Sequence, residues 1–146
     1  MKSAITAALV VLVSSAIPAF PEGAGIEWDI LNQETIKLHD EGKYDRAVIV
    51  AQKALAVAME NVGPDHPAVA TSLNNLAELY RTQGQYAQAE PLNKRSLVIW
   101  EKTLGPDHPD VANSLENIAV LYRETGRKDA AVPLEQRAAA IRAIKR

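Results

Sequence analysis

The sequence predicts an all-α fold: a solenoid of about three stacked helix-turn-helix units behind an N-terminal leader. Three observations carry that prediction. The phrase Gly-Pro-Asp-His-Pro stands at Gly63–Pro67 and again at Gly105–Pro109, 42 residues on. Laying Gly63–Leu104 over Gly105–Arg146 gives 20 identities in 42 positions without a gap. Apolar residues make up 47% of the chain and aromatics only 5%, and alanine, leucine and valine supply most of the apolar mass. That mix suits helices packed through small side chains better than a β-sandwich.

The leader comes first in chain order. Lys2 precedes an uncharged, mostly apolar run from Ala4 to Ile17, and small residues follow at Ser14, Ser15, Ala16 and Ala19. A short basic start, an apolar middle and a small-residue end are the layout of a secretory signal. Residues 1–19 are therefore expected to be a signal peptide, cleaved after Ala16 or Ala19. The mature protein is expected to be exported, periplasmic or secreted, in a bacterial envelope. The apolar run of about 14 residues falls short of the ~20 a membrane span needs. An uncleaved anchor and an ordinary N-terminal helix are the alternatives.

Three units follow within residues 28–146, at about 28–62, 63–104 and 105–146. Leu31, Leu73 and Leu115 align, as do Gly42, Gly84 and Gly126, and Ala47, Ala89 and Ala131. Self-similarity at a period of this length is the mark of a solenoid. In the second unit Val69, Leu73, Leu76, Ala77, Leu79 and Tyr80 recur at helical spacing. Gly84 interrupts, as glycine does where a chain leaves a helix with positive φ. A second helix from Tyr86 to Leu104 carries Ala89, Leu92, Leu97, Val98, Ile99 and Trp100. Pro91 and Pro133 sit early in the second helices and are expected to bend them or fray their first turns.

The repeated phrase then reads as punctuation. Gly63 and Gly105 stop one helix, and Pro64 and Pro106 keep it from resuming. Asp65 and Asp107 are expected to cap the next helix with a carboxylate oxygen, and Pro67 and Pro109 fit its first turn. A metal role for the repeated Asp-His pair is disfavoured. Helices pack ~10 Å apart, whereas the ligands of one ion lie within ~2.2 Å of it. His39, on another face of the first unit, fits a polar surface better than a metal site.

A net charge of −2 leaves no basic footprint for nucleic acid. The absence of cysteine excludes disulfides, thiolate zinc sites and cysteine nucleophiles. No phosphate loop, Gly-x-Ser-x-Gly or His-Glu-x-x-His is present. Ser72 and Ser114 recur, but no repeated histidine stands beside them. The chain is expected to be no enzyme and to need no cofactor or metal.

The units "LNNLAELYRTQGQYAQAEPLNKRSL" and "LENIAVLYRETGRKDAAVPLEQRAA", joined by "GPDHP", resemble tetratricopeptide repeats of the 42-residue kind found in kinesin light chains. The resemblance runs from about Trp28 to Arg146. It implies antiparallel helix pairs wound into a right-handed superhelix, with the first helix of each pair lining a concave groove for a peptide or partner protein. Off the apolar stripe, the groove positions are Asn32, Ile36 and His39; Asn74, Asn75, Glu78 and Arg81; and Glu116, Asn117, Val120 and Arg123. The resemblance singles out Asn75 and Asn117 as grips on an extended peptide backbone, since a carboxamide donates and accepts at once. Arg81 and Arg123 are candidates for acidic side chains or a terminal carboxylate, against a plainer role in local pairs such as Glu78–Arg81.

The chain departs from the family pattern in places. Ala51, Asn93 and Glu135 stand where a large aromatic is usual, and are expected to loosen packing. Glu34 and Thr35 replace Leu76-Ala77 and Ile118-Ala119, as suits a terminal unit with one face in water. Arg142, Lys145 and Arg146 are placed to face the last helix's dipole, and Ala138–Ala140 to leave an apolar patch. The expected function is protein–protein interaction with an unidentified protein or extended peptide. The alternatives are self-association through the solenoid ends and an accessory role in an envelope enzyme complex.

Overall fold

The sequence periodicity reappears as helix pairs in the computed structural model, which describes residues 18–146; the leader, as far as residue 17, lies outside the described residues. The helices are α1 (Ala24–Asp40), α2 (Tyr44–Val62), α3 (Pro67–Thr82), α4 (Tyr86–Leu104), α5 (Pro109–Glu124) and α6 (Lys128–Arg142). Each packs on its chain neighbours, and α1 also touches α3. Contacts between units thus run only between neighbours, the one-dimensional logic of a solenoid.

Within each pair the turn is a Schellman motif. Gly84 takes φ +74°. The Gly84 N–H donates to the Arg81 carbonyl at 2.9 Å and the Gln85 N–H to the Tyr80 carbonyl at 2.8 Å. The same two bonds recur at Gly42–Lys43 and Gly126–Arg127. They satisfy carbonyls that a helix end otherwise leaves open.

Between pairs the punctuation holds, with one correction. The caps come from histidine and not from aspartate. His66 has extended backbone (ψ 146°), and its Nδ1 accepts from the Ala68 N–H at 3.0 Å. His108 does the same for the Asp110 N–H at 3.1 Å. The carboxylate of Asp65 lies one residue too early and turns outward to Lys102 at 2.6 Å. Pro67 and Pro109 open their helices as expected.

The core follows the stripes. Val69, Leu73, Leu79, Ile99, Val111, Leu115 and Leu121 are fully buried, each side chain worth about 1.5–3 kcal/mol in transfer from water. Ala47, Ala89 and Ala131, at matching places in the second helices, are wholly out of solvent, where only a small side chain lets two helices close up. Ala51 and Asn93 are buried as well, and the Asn93 Oδ1 has no donor.

α1 shows what a terminal unit changes. Glu34 and Lys37 are exposed where Leu76 and Leu79, or Ile118 and Leu121, are buried against the preceding unit. Thr35 is buried and returns its hydroxyl proton to the Leu31 carbonyl at 2.8 Å. Trp28 compensates, donating from Nε1 to Ser72 Oγ at 2.9 Å and stacking on Phe20 at 5.7 Å. Its counterpart one unit on is Ala70, so Ser114 is buried with no such partner.

Pro91 and Pro133 do not fray their helices, which begin five residues earlier. The carbonyls they leave unbonded, those of Ala87 and Asp129, belong to exposed residues that water can reach. At the C-terminus Ala138 is buried, while Ala139 and Ala140 are exposed. Arg142 does not serve its own helix end but reaches α5. Arg146 instead folds back onto the carbonyls of Ile141 and Asp107.

Candidate partner-binding face

α1, α3 and α5, the first helix of each pair, carry the predicted positions. An open cleft of about 380 Å³ lies between α3 and α5. From α3 it is lined by Thr71, Asn74 and Asn75, and from α5 by Asp110, Asn113, Glu116 and Asn117. Trp100 of α4, only 8% exposed, completes its lining. A smaller cleft of about 100 Å³ between α1 and α3 is lined by Thr35, Ile36, His39, Asn75, Glu78 and Leu79. Asn75 borders both clefts.

The structure brings Asn75 and Asn117 to one cleft from successive first helices, and puts Asn74 beside them. The Asn74 Oδ1 is out of solvent with no donor. Asn32 is buried: its Nδ2 donates to the Trp28 carbonyl at 3.1 Å and its Oδ1 accepts from Asn75 Nδ2 at 3.1 Å. Asn75 is thereby oriented, with its own carbonyl oxygen left over. Ile36 (53%) and Val120 (41%) are exposed apolar side chains on the same face. His39 stands edge-on to Tyr44 at 5.6 Å.

The arginines are already paired. Arg81 donates to both oxygens of Glu78, at 2.8 and 2.5 Å, and to Glu124 of α5 at 2.7 Å. The Glu78 bonds first, with Glu124 behind them, raise its pKa further above an already high value. Arg123 turns toward α6, where both oxygens of Glu135 receive it, and that pair raises the arginine and lowers the carboxylate. Equivalent arginines thus serve different purposes: one ties α3 to α5, the other α5 to α6. Glu116 binds Arg142 Nε and Nη2, each at 2.7 Å, and that guanidinium holds its carboxyl below the usual range.

Asp110, Asn113, Thr71 and Trp100 belong to the cleft although the sequence patterns did not assign them to it. Asp110, Asn113 and Asn117 lie three and four residues apart, one helical face. That spacing stands in the sequence directly after the repeated link. Trp100 counted among apolar stripe residues, and it nonetheless lines the cleft. Among the described residues, no group of three or more His, Asp or Glu side chains is placed to hold a metal ion.

Comparison with known proteins agrees with this architecture. The tetratricopeptide repeat family matches residues 37–97 and 75–143. The crystal structure of BtubC (BKLC) from P. vanneervenii superposes with a TM-score of 0.78 at 26% identity, over 84% of this chain and 48% of that one. The nearly identical TPR-like repeats described for a kinesin light chain of Podosopora anserina give 0.75 at 25% identity, over 84% of this chain and 58% of that one. The TPR domain of Arabidopsis FLU shares the fold, with a TM-score of 0.69 at 17% identity, over 80% of this chain and 95% of that one. The chain spans about half the length of the first two structures. No curated protein sequence is significantly similar to it. Among the described residues, six helices in three Gly-turned pairs stand with a 42-residue period and this family match, and together they establish that the chain belongs to the tetratricopeptide repeat family.

Proposed function

We propose that the chain is an exported, non-enzymatic interaction module that holds an extended segment of a partner protein along α1, α3 and α5. One observation carries the reading: Asn75 and Asn117, from successive first helices, line a single open cleft. An extended peptide advances ~3.3 Å per residue. Carboxamides one helix spacing apart, ~10 Å, then meet its backbone about every third residue and pair with it whatever its sequence. Affinity capture from an envelope extract, with wild type and the Asn75→Ala/Asn117→Ala double variant as baits, tests this. A partner retained by wild type and lost by the variant is expected. A partner retained equally by both would move the site elsewhere.

The export half of the proposal rests on the leader's layout. No helix among the described residues is long and apolar enough to cross a membrane. N-terminal sequencing of protein from a native-like host should begin at Ile17 or Phe20. Recovery of Met1 in a membrane fraction would replace cleavage with anchoring.

Self-association is a second reading, favoured by Ile26 (67% exposed) and Ile30 (58%) on the side of α1 that faces away from α3. It predicts a concentration-dependent mass that Ile26→Glu/Ile30→Glu abolishes and Asn75→Ala leaves unchanged.

A further inference from the structure

We propose that the α3–α5 cleft takes a basic side chain, lysine or arginine, of the bound segment; this rests on the groove reading above and adds what the groove selects. The expectation from sequence was the reverse, with Arg81 and Arg123 reading acidic groups. The charges on this face argue otherwise. Both arginines are consumed by Glu78, Glu124 and Glu135. Arg81 stands against two carboxylates, so that cluster keeps a net negative charge.

The cleft itself has no cationic lining residue, and its titratable groups are Asp110 and Glu116. Glu116 is neutralised by Arg142. Asp110 is not neutralised. It receives only a long bond from Asn113 Nδ2 at 3.3 Å. His108 Nδ1 approaches it at 3.5 Å, but that nitrogen accepts the Asp110 backbone N–H and so carries no proton to share. The carboxylate therefore keeps free lone pairs at the cleft.

Two further features point to a cationic donor. The Asn74 Oδ1 lacks a donor. The Trp100 indole lines the same space and gives the alkyl stem of a lysine or arginine an apolar surface to pack on. The molecule also displays this recognition on itself. Arg142 is the counterpart of Trp100 one unit later, and its guanidinium binds Glu116 and the Asn113 Oδ1 at 2.6 Å. A carboxylate and a carboxamide of α5 there hold an arginine. Asp110 with the cleft carboxamides of Asn75 and Asn117 offers the same two kinds of group to a visitor.

The test selects binders from a phage-displayed dodecapeptide library on the purified protein. Synthetic peptides then compare the best binder with its analogue carrying norleucine at the enriched position. Lys or Arg enriched at one position is expected, with the norleucine analogue about five- to tenfold weaker. Asp110→Asn should bring the two peptides to within about twofold of each other, with helicity by circular dichroism unchanged. Enrichment of acidic or apolar residues there, or a gap that persists in Asp110→Asn, overturns the basic subsite and leaves the groove standing. Binders indifferent to Asn75→Ala and Asn117→Ala, or no binders at all, overturn both.

Discussion

Replacing His66 by alanine removes the acceptor for the Ala68 N–H at the start of α3. A lost N-cap costs ~1 kcal/mol. The ring also stands edge-on to Phe20 at 5.7 Å, a contact worth a further ~0.5 kcal/mol. Unfolding entropy of ~2.1 cal/mol/K per residue over about 120 residues is ~0.25 kcal/mol/K, so the melting temperature should fall by about 6 °C. His108→Ala loses the cap without a Phe20 contact and should fall by about 4 °C. His66→Asn supplies another capping oxygen and should recover about 4 °C of the loss. Asp65→Ala removes only an exposed pair with Lys102, both side chains more than half exposed, and should change the melting temperature by less than about 2 °C. Thermal unfolding followed by circular dichroism reads all four. If Asp65→Ala melts lower than His66→Ala, the histidine cap is wrong and the aspartate is the cap after all.

The His66 cap also has a pH signature. Burial lowers its pKa from the ordinary 6.5, opposed by a hydrogen bond to the Pro18 carbonyl. A base with a lowered folded pKa contributes stability that is full above the ordinary value and is lost as pH falls through the folded one. His66→Asn should therefore flatten the loss of stability below pH ~6.5. Glu90 acts at lower pH. Arg127, then Lys94, pull it down to about 2, so its contribution is present above the ordinary 4.5 and fades as pH falls toward 2. Acid titration of Glu90→Gln should show a shallower decline there, and an unchanged slope would mean the Arg127 pair persists in the unfolded chain. Gly84→Ala meets no atom within 4 Å at the new Cβ, so its cost is backbone strain at positive φ, ~1 kcal/mol by chemical denaturation; no loss would mean the turn can relax. Trp28→Phe should cost ~1 kcal/mol for the unmade bond to Ser72, and a Ser72→Ala background should remove most of that cost.

The helix pairs were legible because their signals are local. A glycine that must take positive φ and a proline that cannot continue a helix act within a few residues of themselves, and here the chain writes them repeatedly. The terminal character of the first unit was legible for the same reason, since Glu34 cannot occupy the place of Leu76. The cap was misread by one position. Asp65 and His66 are adjacent, either can accept a hydrogen bond, and only the backbone entry into α3 decides between them. The arginines were half legible. Glu78–Arg81 is a same-helix pair, but Glu124 lies 43 residues from Arg81 and Glu135 on another helix from Arg123. Trp100 likewise looked like core because its burial is real, and its place at a cleft arises only when α3 and α5 stand over it.

Amide chemical shifts of the isotopically labelled protein, followed while an extended peptide from a captured partner is titrated in, test the central claim most directly. The groove account predicts perturbations concentrated on α3 and α5 around Asn74, Asn75, Asp110 and Asn117, extending to His39 at the smaller cleft. It also predicts that Asn75→Ala and Asn117→Ala each weaken binding by about 1–2 kcal/mol while the spectrum stays helical. Perturbations confined to α2, α4 and α6, or to the exposed end of α1 at Ile26 and Ile30, with both variants binding as wild type does, would contradict it.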